Sequence, residues 1–203
     1  MANALDRLCK AIGACRICVD TPMASPLPHA PRPVFQAAPQ APVLLVGQAP
    51  GTRAHHSGRP FSDPSGDRLR SWLGVDADSF YDKRLFAIIP MGLCFPGLDA
   101  KGGDLPPRRE CARAWRPSLM KELKSVELII CLGLHAQRWH MGDAAGKSLS
   151  ETVANWREGL KLSPPVFPLP HPSWRNNAWL KANPWFETAL LPVLRRRVKA
   201  LVK

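Results

Sequence analysis

The sequence is poor in acidic residues and contains no long apolar run. No stretch approaches the roughly 18 consecutive apolar residues that a membrane-spanning helix requires, which argues against a membrane protein. The opening residues, MANALDRLCKAIG, are interrupted by Asp6, Arg7 and Lys10 and so lack the apolar stretch of a secretory signal. We therefore expect a cytoplasmic, nucleoid-associated protein.

The shortage of acids leaves a strongly basic chain. Lysine and arginine number 28 against 16 aspartates and glutamates, which gives a net charge of +12 and an isoelectric point near 10.0. A basic protein of this size most often binds nucleic acid. Charge alone also fits a cationic protein with no polyanionic partner, so the motifs must decide between these readings.

Four short apolar runs predict buried strands, at Val43–Gly47, Leu85–Pro90, Leu128–Gly133 and Val166–Leu169. Each run is nearly continuous rather than alternating, which is typical of a parallel sheet covered on both faces. Helical patterns lie before and between the runs, at Ala4–Ile12, Gly66–Leu73, Arg108–Leu123, Ser150–Leu160 and Trp185–Val202. This alternation predicts an α/β fold, a three-layer α/β/α sandwich with a central, mostly parallel, four-stranded sheet.

Seven prolines fall between Pro22 and Pro42, so this segment is extended and cannot be helical. A disordered linker is one interpretation, but the segment joins a CxxC to the first strand, and we favour an ordered strap. No internal repeat or low-complexity block interrupts the sequence. We expect residues 1–203 to form one domain, with an N-terminal helix, the CxxC and the strap within residues 1–42.

Three motifs follow strands or lie between them, at the edge where an open α/β sheet binds ligands. The first, GQAPG at 47–51, is neither a P-loop nor a dinucleotide fingerprint, and such a segment is more often a structural turn. The second, GRPFSDPSG at 58–66, holds a phenylalanine between prolines, where it suits stacking on a planar ligand. The third, PHPS at 170–173, holds a histidine rigidly, although a single histidine is more often structural.

Together, GQAPG, GRPF and LPHPSWRN resemble the uracil-DNA glycosylase superfamily in order and spacing. The resemblance runs from Cys15 to Phe186 and is closest to the iron–sulfur, family 4-like branch, with GQAPG as a variant first motif. It implies an enzyme that flips uracil out of DNA, hydrolyses the N-glycosidic bond without a metal in the chemical step and leaves an abasic site. The matched motifs place no lysine for lyase chemistry, which implies a monofunctional enzyme.

The resemblance also implies roles for individual residues. The catalytic set would be Asp63, His171 and Gln48, with His171 donating a hydrogen bond to the developing anion and the amides around Gln48 binding a carbonyl. Phe61 would stack on the base, and further substrate contacts would come from Gly47, Ala49, Met91 and Ser173. Contacts to the DNA would come from Ser65, Trp174, Arg175 and Lys181.

One departure from the family pattern concerns the catalytic carboxylate. Gln48 and Ala49 occupy the two first-motif positions that are acidic in other branches. Asp63 occupies the place that one branch with alanine in this motif uses instead. A helix-capping role also suits Asp63, because a helix is predicted to begin near Ser65.

A second departure concerns base recognition. Pro90 stands where many relatives carry an asparagine that reads the uracil edge, so recognition must come from backbone groups near Met91 and Gly92 or from another residue. Other deaminated or damaged bases are therefore open as substrates. The alternative is a catalytically weak or inactive member that only binds nucleic acid, and a third option is a small-nucleotide hydrolase that turns over free dUMP.

Four of the six cysteines fall in a pattern. Cys15 and Cys18 form a CxxC, Cys94 follows the second strand, and Cys111 lies in the next predicted helix. This arrangement resembles the ligand set of the [4Fe–4S] cluster in the iron–sulfur branch, and it implies a structural cluster. Zinc or no metal remains the alternative, because a set of four thiolates binds either group.

Basic and aromatic residues predict a surface for DNA, single- or double-stranded, on a protein that we expect to be a monomer. Trp174 is a candidate wedge for the gap left by a flipped base, unless it packs against Trp179 and Trp185. The remaining candidates are arginines and lysines that a solvated helix face explains as well, at Arg108, Arg109, Arg113, Arg116, Arg195, Arg196, Arg197, Lys199 and Lys203.

Overall fold

The computed structural model describes residues 3–202 and has a central sheet of four parallel strands. Lys203, one of the C-terminal basic residues, lies outside the described range. The strands are β1 (Val43–Val46), β2 (Phe86–Ile88), β3 (Leu128–Leu132) and β4 (Val166–Leu169). They lie in the order β2-β1-β3-β4, so all four carboxyl ends share one edge. The predicted α/β fold is confirmed.

Helices connect the strands and also precede and follow them. The α-helices of residues 3–202 are α1 (Ala4–Gly13), α2 (Ile17–Asp20), α3 (Thr52–Ser57), α4 (Pro64–Leu73), α5 (Ala77–Tyr81), α6 (Arg109–Glu122), α7 (Leu134–Met141), α8 (Leu149–Ala154), α9 (Trp156–Gly159), α10 (Asn177–Ala182) and α11 (Leu191–Leu201). Short 3₁₀ turns cover Gly142–Ala144 and Trp174–Asn176, and a π-helical turn covers Phe186–Leu190. None of these helices has the length and apolar character needed to cross a membrane.

The sheet is buried on both faces. Successive residues of a strand point to opposite sides of the sheet, and each side is covered by helices. Val43 and Leu45 pack on one side among residues of α4, α5, α8, α9 and α11. Leu44 and Val46 pack on the other side among residues of α1, α6 and α7. Two helical layers therefore enclose the sheet, and the apolar runs of the sequence are continuous because no strand has a solvent face.

The proline-rich segment is extended and runs along β2. The Val34 amide donates to the Leu93 carbonyl at 2.7 Å, and Gln36 forms an antiparallel bridge with Ile88. The Gln36 side chain also donates to the Phe86 carbonyl at 2.8 Å. The segment thus covers the outer edge of β2, which would otherwise leave backbone groups unpaired.

Two predicted helices differ from the structure. The single helix predicted at Ser150–Leu160 is wrong, because α8 and α9 are separated at Asn155, a residue type that competes with the helical backbone for hydrogen bonds. The helix predicted at Trp185–Val202 begins with the π-helical turn, since Pro192 would lie inside one continuous α-helix and lacks the N–H that an interior position uses. The short helices α2, α3, α5, α7 and α10 were not predicted.

Candidate active site

A cavity of about 370 Å³ lies at the carboxyl edge of the sheet. The loops after β1, β2 and β4 meet there with the loop between α3 and α4. Its volume falls within the range of about 300–1,000 Å³ that is usual for ligand sites. Seven residues that the sequence singled out line it, namely Gly47, Ala49, Phe61, Asp63, Ser65, His171 and Trp174.

Phe61 is held in an unusual backbone conformation on one wall of this cavity. Its φ angle is 52°, in the left-handed region that non-glycine residues rarely adopt. The Tyr81 hydroxyl donates to the carbonyl oxygens of Pro60 and Phe61, at 3.1 and 2.9 Å, and so fixes this turn. No sequence pattern indicates that Tyr81 supports the aromatic wall, because the contact spans twenty residues.

Two glycines make room for the Phe61 loop. A Cβ at position 47 would lie 3.3 Å from the Phe61 ring, so Gly47 allows the ring to lie against the first loop. A Cβ at position 66 would lie 1.9 Å from the Phe61 carbonyl oxygen, a distance that no side chain can occupy. Gly66 is therefore required for the position of the Phe61 backbone.

His171 is fixed as a neutral hydrogen-bond donor. Its Nδ1 accepts the Ser173 backbone N–H at 3.3 Å, which assigns the proton of the neutral ring to Nε2. Burial lowers the pKa of His171; Arg175 lowers it further, and Asp63 acts in the opposite direction. Asn176 donates to the His171 carbonyl at 2.7 Å and holds the loop. The ring is thus neutral at neutral pH and has Nε2–H to donate.

Asp63 sits at the N-cap position of α4 without acting as a side-chain cap. Its carboxylate accepts no backbone amide of the helix, and Oδ1 accepts the Ser65 hydroxyl at 2.6 Å instead. Pro64 follows at the first helical position, where it needs no acceptor. The capping alternative therefore lacks its hydrogen bond, and the carboxylate lines the cavity.

Asp104 is a second carboxylate at this cavity, and sequence reasoning missed it. A Cβ at position 51 would lie 3.6 Å from its Oδ2, which places the carboxylate beside the first loop. Partial burial raises the pKa of Asp104, Arg175 lowers it, and Asp63 raises it. Its one signal in the sequence is an acidic residue within the glycine- and proline-rich stretch PGLDAKGGDLPP.

The first loop offers backbone donors rather than the Gln48 side chain. Within residues 3–202 the amides of Gln48 and Ala49 have no acceptor. The Gln48 side chain donates to the Leu105 carbonyl at 3.2 Å and does not line the cavity. Two free amides next to the aromatic wall are the arrangement that binds a carbonyl oxygen.

Of the backbone groups near Met91 and Gly92 that were expected to recognise the base, the two N–H groups are already hydrogen-bonded within the protein. Met91 N–H donates to the Gly47 carbonyl and Gly92 N–H donates to the Gln48 carbonyl, both at 2.9 Å. The Met91 side chain lines a different cavity. Pro90 does line the candidate site, but it presents no side-chain donor there.

Trp174 stands at the rim of the cavity. It is 70% exposed, and the Arg175 guanidinium lies 5.4 Å from its ring centre. The alternative in which it packs against two other tryptophans is not realised, because Trp179 and Trp185 contact each other 5.9 Å apart without it. An exposed indole beside an arginine is free to contact a ligand.

Ser173 and Lys181 lie outside the cavity lining. The Ser173 amide orients His171, and its carbonyl accepts from Arg68 at 3.2 Å, so its role is to position the histidine loop. Lys181 is exposed on α10. Ser65 does line the cavity, but its hydroxyl is bonded to Asp63.

Arg116 corrects one prediction of a DNA-facing surface. Its side chain is 2% exposed and donates to the Ile89 and Pro90 carbonyls at 2.8 and 2.7 Å. It also bonds His140 Nε2 at 3.1 Å. Arg116 therefore supports the loop after β2 from inside the protein and is not available to a phosphate.

The four predicted cysteine ligands line one small cavity, Cys15, Cys18, Cys94 and Cys111. The Trp115 indole N–H donates to Cys15 Sγ and the Leu93 amide donates to Cys111 Sγ, each at 3.2 Å. Burial raises the pKa of Cys18 to about 11 and those of Cys94 and Cys111 to about 12. Within residues 3–202 no three Cys, His, Asp or Glu side chains converge tightly enough for a single metal ion.

The site at the carboxyl edge of the parallel sheet combines an aromatic wall, a neutral histidine and two carboxylates, a set of groups that suits a planar ligand. Residues 34–195 match the family described as the Uracil DNA glycosylase superfamily. The chain belongs to this superfamily, as its motifs predict. Members of this superfamily are generally DNA glycosylases, and the superfamily acts on DNA.

Proposed function

We propose that this protein is a monofunctional glycosylase that removes uracil from DNA by hydrolysis and leaves an abasic site. The observation that supports this most is the convergence of Phe61, Asp63 and His171 on one cavity, with the histidine held as a neutral donor. An aromatic wall, an anion-stabilising donor and a carboxylate are the groups that such a hydrolysis needs.

The base enters the cavity from the DNA and is held by its face and its edge. Phe61 stacks on the ring, since its position is fixed by Tyr81 and by the space at Gly47. The amides of Gln48 and Ala49 donate to a base carbonyl. Because Pro90 offers no edge-reading amide, selectivity rests on these backbone donors, and other deaminated bases with a carbonyl at that place are accepted to some degree.

Bond breakage separates charge, and two side chains stabilise the two parts. The glycosidic C–N bond breaks, the base leaves as an anion, and His171 Nε2–H donates to its oxygen. Asp63 stabilises the cationic sugar, orients the water that attacks C1′ and takes up the proton that this water releases. Removing one donor of this type lowers kcat by about 10²–10³ in other enzymes, and a similar loss is expected for each group.

The four cysteines at the small cavity suit a structural [4Fe–4S] cluster in the proposed protein. Two N–H groups already point at sulfur atoms, which is how a protein stabilises bound thiolates. Zinc remains the alternative for the same four cysteines, because a set of four thiolates binds either group. When bound, the cluster would tie together α2, α6, the loop after β2 and the turn between α1 and α2 that carries Cys15.

The direct test of the cluster is composition. Protein purified without oxygen should be brown, with about four iron atoms per chain and a broad visible band. Colourless protein with one zinc per chain would overturn the cluster. Cys131, which is fully buried within β3, serves as the matched control, because Cys131→Ala should keep the iron while Cys94→Ala loses it.

The test of the activity is cleavage of uracil-containing oligonucleotides after alkali. Wild-type protein should cut single- or double-stranded substrate at the uracil, and His171→Ala and Phe61→Ala should abolish cutting. Asp63→Asn should lose at least 100-fold, whereas Asp104→Asn should lose less than tenfold. Asp67→Asn is the matched control, because this exposed carboxylate lies on α4 outside the cavity.

The outcomes distinguish the proposal from its rivals. A larger loss in Asp104→Asn than in Asp63→Asn would transfer the catalytic role to Asp104. No cutting of any deaminated base, together with tight DNA binding, would identify a nucleic-acid-binding member without catalysis. Turnover of free dUMP would identify a nucleotide hydrolase.

A further inference from the structure

A second cavity, of about 330 Å³, lies between α6 and α7 next to the candidate active site. We call it the basic groove and define it by Arg109, Arg113, Arg138 and Trp139, with Met91 at its inner end. The proposed function leaves this groove without a role. Its lining also contains Arg108, so four arginines and one tryptophan surround this cavity.

The arginines of the basic groove have no acidic partners. Within residues 3–202 none of Arg109, Arg113 and Arg138 lies within 4.0 Å of a carboxylate oxygen, although other arginines form such pairs. Arg108, at the start of α6, is neutralised by Glu110 at 2.9 Å. The groove therefore carries uncompensated positive charge, which complements a polyanion.

Trp139 gives the groove an aromatic surface. Its side chain is 44% exposed, although a tryptophan is normally well buried. His135 also lines the groove, and partial burial followed by the charges of Arg138 and Arg109 lowers its pKa. An exposed indole between arginines suits a ligand in which planar rings alternate with anionic groups. A ring of the ligand can stack on the indole while its anionic groups bind the guanidinium groups.

The basic groove and the candidate active site adjoin at the end of β2. Pro90 lines the active-site cavity, and the next residue, Met91, lines the groove. The two cavities are therefore lined by consecutive residues of the loop after β2, so a strand with one base in the first cavity can continue into the groove.

We propose that the basic groove binds single-stranded DNA, with Trp139 stacking on an unpaired base near the one in the active site. This inference rests on the proposed function in one respect, namely that the base held in the active site is the one that the enzyme removes. Duplex DNA fits less well, because paired bases are stacked on each other and cannot use the exposed indole. An acidic peptide would use the arginines but not the ring.

The test measures binding of fluorescein-labelled dT15, which contains no uracil, by fluorescence anisotropy at several salt concentrations. The variants are the triple change Arg109→Gln, Arg113→Gln and Arg138→Gln, and the single change Trp139→Ala. The matched control is Arg196→Gln with Arg197→Gln, two exposed arginines of α11 that line another surface beside Leu128, where β3 begins.

Three results are expected. The slope of log K against log salt should fall by about 0.7 for each arginine, which is about 2 for the triple variant. Trp139→Ala should weaken dT15 binding at least about fivefold and leave binding of a 15-base-pair duplex within twofold. The control variant should keep the wild-type affinity within about twofold.

Other results would overturn the assignment. An unchanged slope in the triple variant excludes phosphate contacts in the groove. Equal losses for duplex and dT15 in Trp139→Ala identify a duplex surface. Tighter binding of a fluorescein-labelled hexaglutamate peptide than of dT15, lost in the triple variant, identifies a protein partner.

The same proteins separate this inference from the proposed function. If dT15 binding changes as expected but no uracil is excised from single- or double-stranded oligonucleotides, the groove inference is supported and the glycosylase proposal fails. If uracil is excised and dT15 binding is unaffected by the groove variants, the glycosylase proposal stands and the groove inference fails.

Discussion

His140 should make this protein sensitive to acid. The side chain is packed beside Arg116, and its Nε2 lies 3.1 Å from a guanidinium nitrogen. Burial, and then the charge of Arg116, lowers the pKa of His140 from 6.5 to about 3. Protonation would put two cations next to each other beneath the loop after β2, so the folded protein holds this ring neutral.

The sign of the pH effect follows from proton uptake. Below pH 6.5 the unfolded chain protonates this histidine and the folded chain does not, so the unfolded state binds more protons and stability falls as pH falls. Each pH unit between 6.5 and about 3 costs about 1.4 kcal/mol. At pH 5.0 the loss is about 2 kcal/mol, a large part of a typical stability of about 5–15 kcal/mol.

The assay is urea unfolding at pH 7.5 and pH 5.0 for wild type and His140→Gln. Glutamine keeps an acceptor for Arg116 but does not titrate, so the variant should lose about 2 kcal/mol less than wild type between the two pH values. His56→Gln, which removes an exposed ring, should follow wild type. Parallel losses for wild type and His140→Gln would refute the reasoning, since the shared contributions of other groups cancel in the difference.

Three further outcomes follow from the same structure. Gly66→Ala should lower the free energy of unfolding by about 1–3 kcal/mol and abolish uracil excision, because the added Cβ meets the Phe61 carbonyl; Gly13→Ala, with open space at that position, is the denaturation control. Trp115→Phe removes an N–H···S bond at the CxxC and should speed loss of iron, followed as decay of the visible band. Asp104→Asn should unfold at the same or a higher urea concentration than wild type at pH 7, and the two unfolding midpoints should converge near pH 3. The reason is that burial raises the pKa of the Asp104 carboxyl, so its ionised form lowers the stability of the wild-type protein above pH 3.8.

Each of these outcomes has an opposite that contradicts it. Wild-type stability and activity in Gly66→Ala would mean that the Phe61 turn moves freely. Unchanged iron retention in Trp115→Phe would remove the indole from the cysteine site. A clear loss of stability in Asp104→Asn at pH 7 would mean that the carboxylate is paired rather than strained by burial.

The fold was predictable because its signal is local. Each strand lies within one apolar run, and α6 follows its helical pattern to within one residue at each end, from Arg109 to Glu122. Short helices such as α3 and α5 carry little apolar periodicity, and tertiary contacts rather than pattern set their limits. The order of the strands depends on contacts between distant segments, so it is accessible from the sequence only through the resemblance of the motifs to the family.

The candidate site was predictable where motif and placement coincide, as for Phe61 and His171. The site was not predictable where a residue lies in an environment that is unusual for its type. Arginine is normally a surface residue, so the interior position of Arg116 is invisible before folding. Asp104 joins the cavity through a loop with no periodic pattern, and its neighbour at position 51 is more than fifty residues away.

Helix α6 connects three features of this molecule. Its first turns carry Cys111 of the small cysteine cavity and Arg109 and Arg113 of the basic groove. About one turn after Arg113, Arg116 donates to the Pro90 carbonyl at the active-site cavity. A shift of the α6 backbone would therefore be shared by all three places. Substitutions on α6 that move its backbone should be non-additive in double-mutant cycles, whereas those that leave the backbone in place should add.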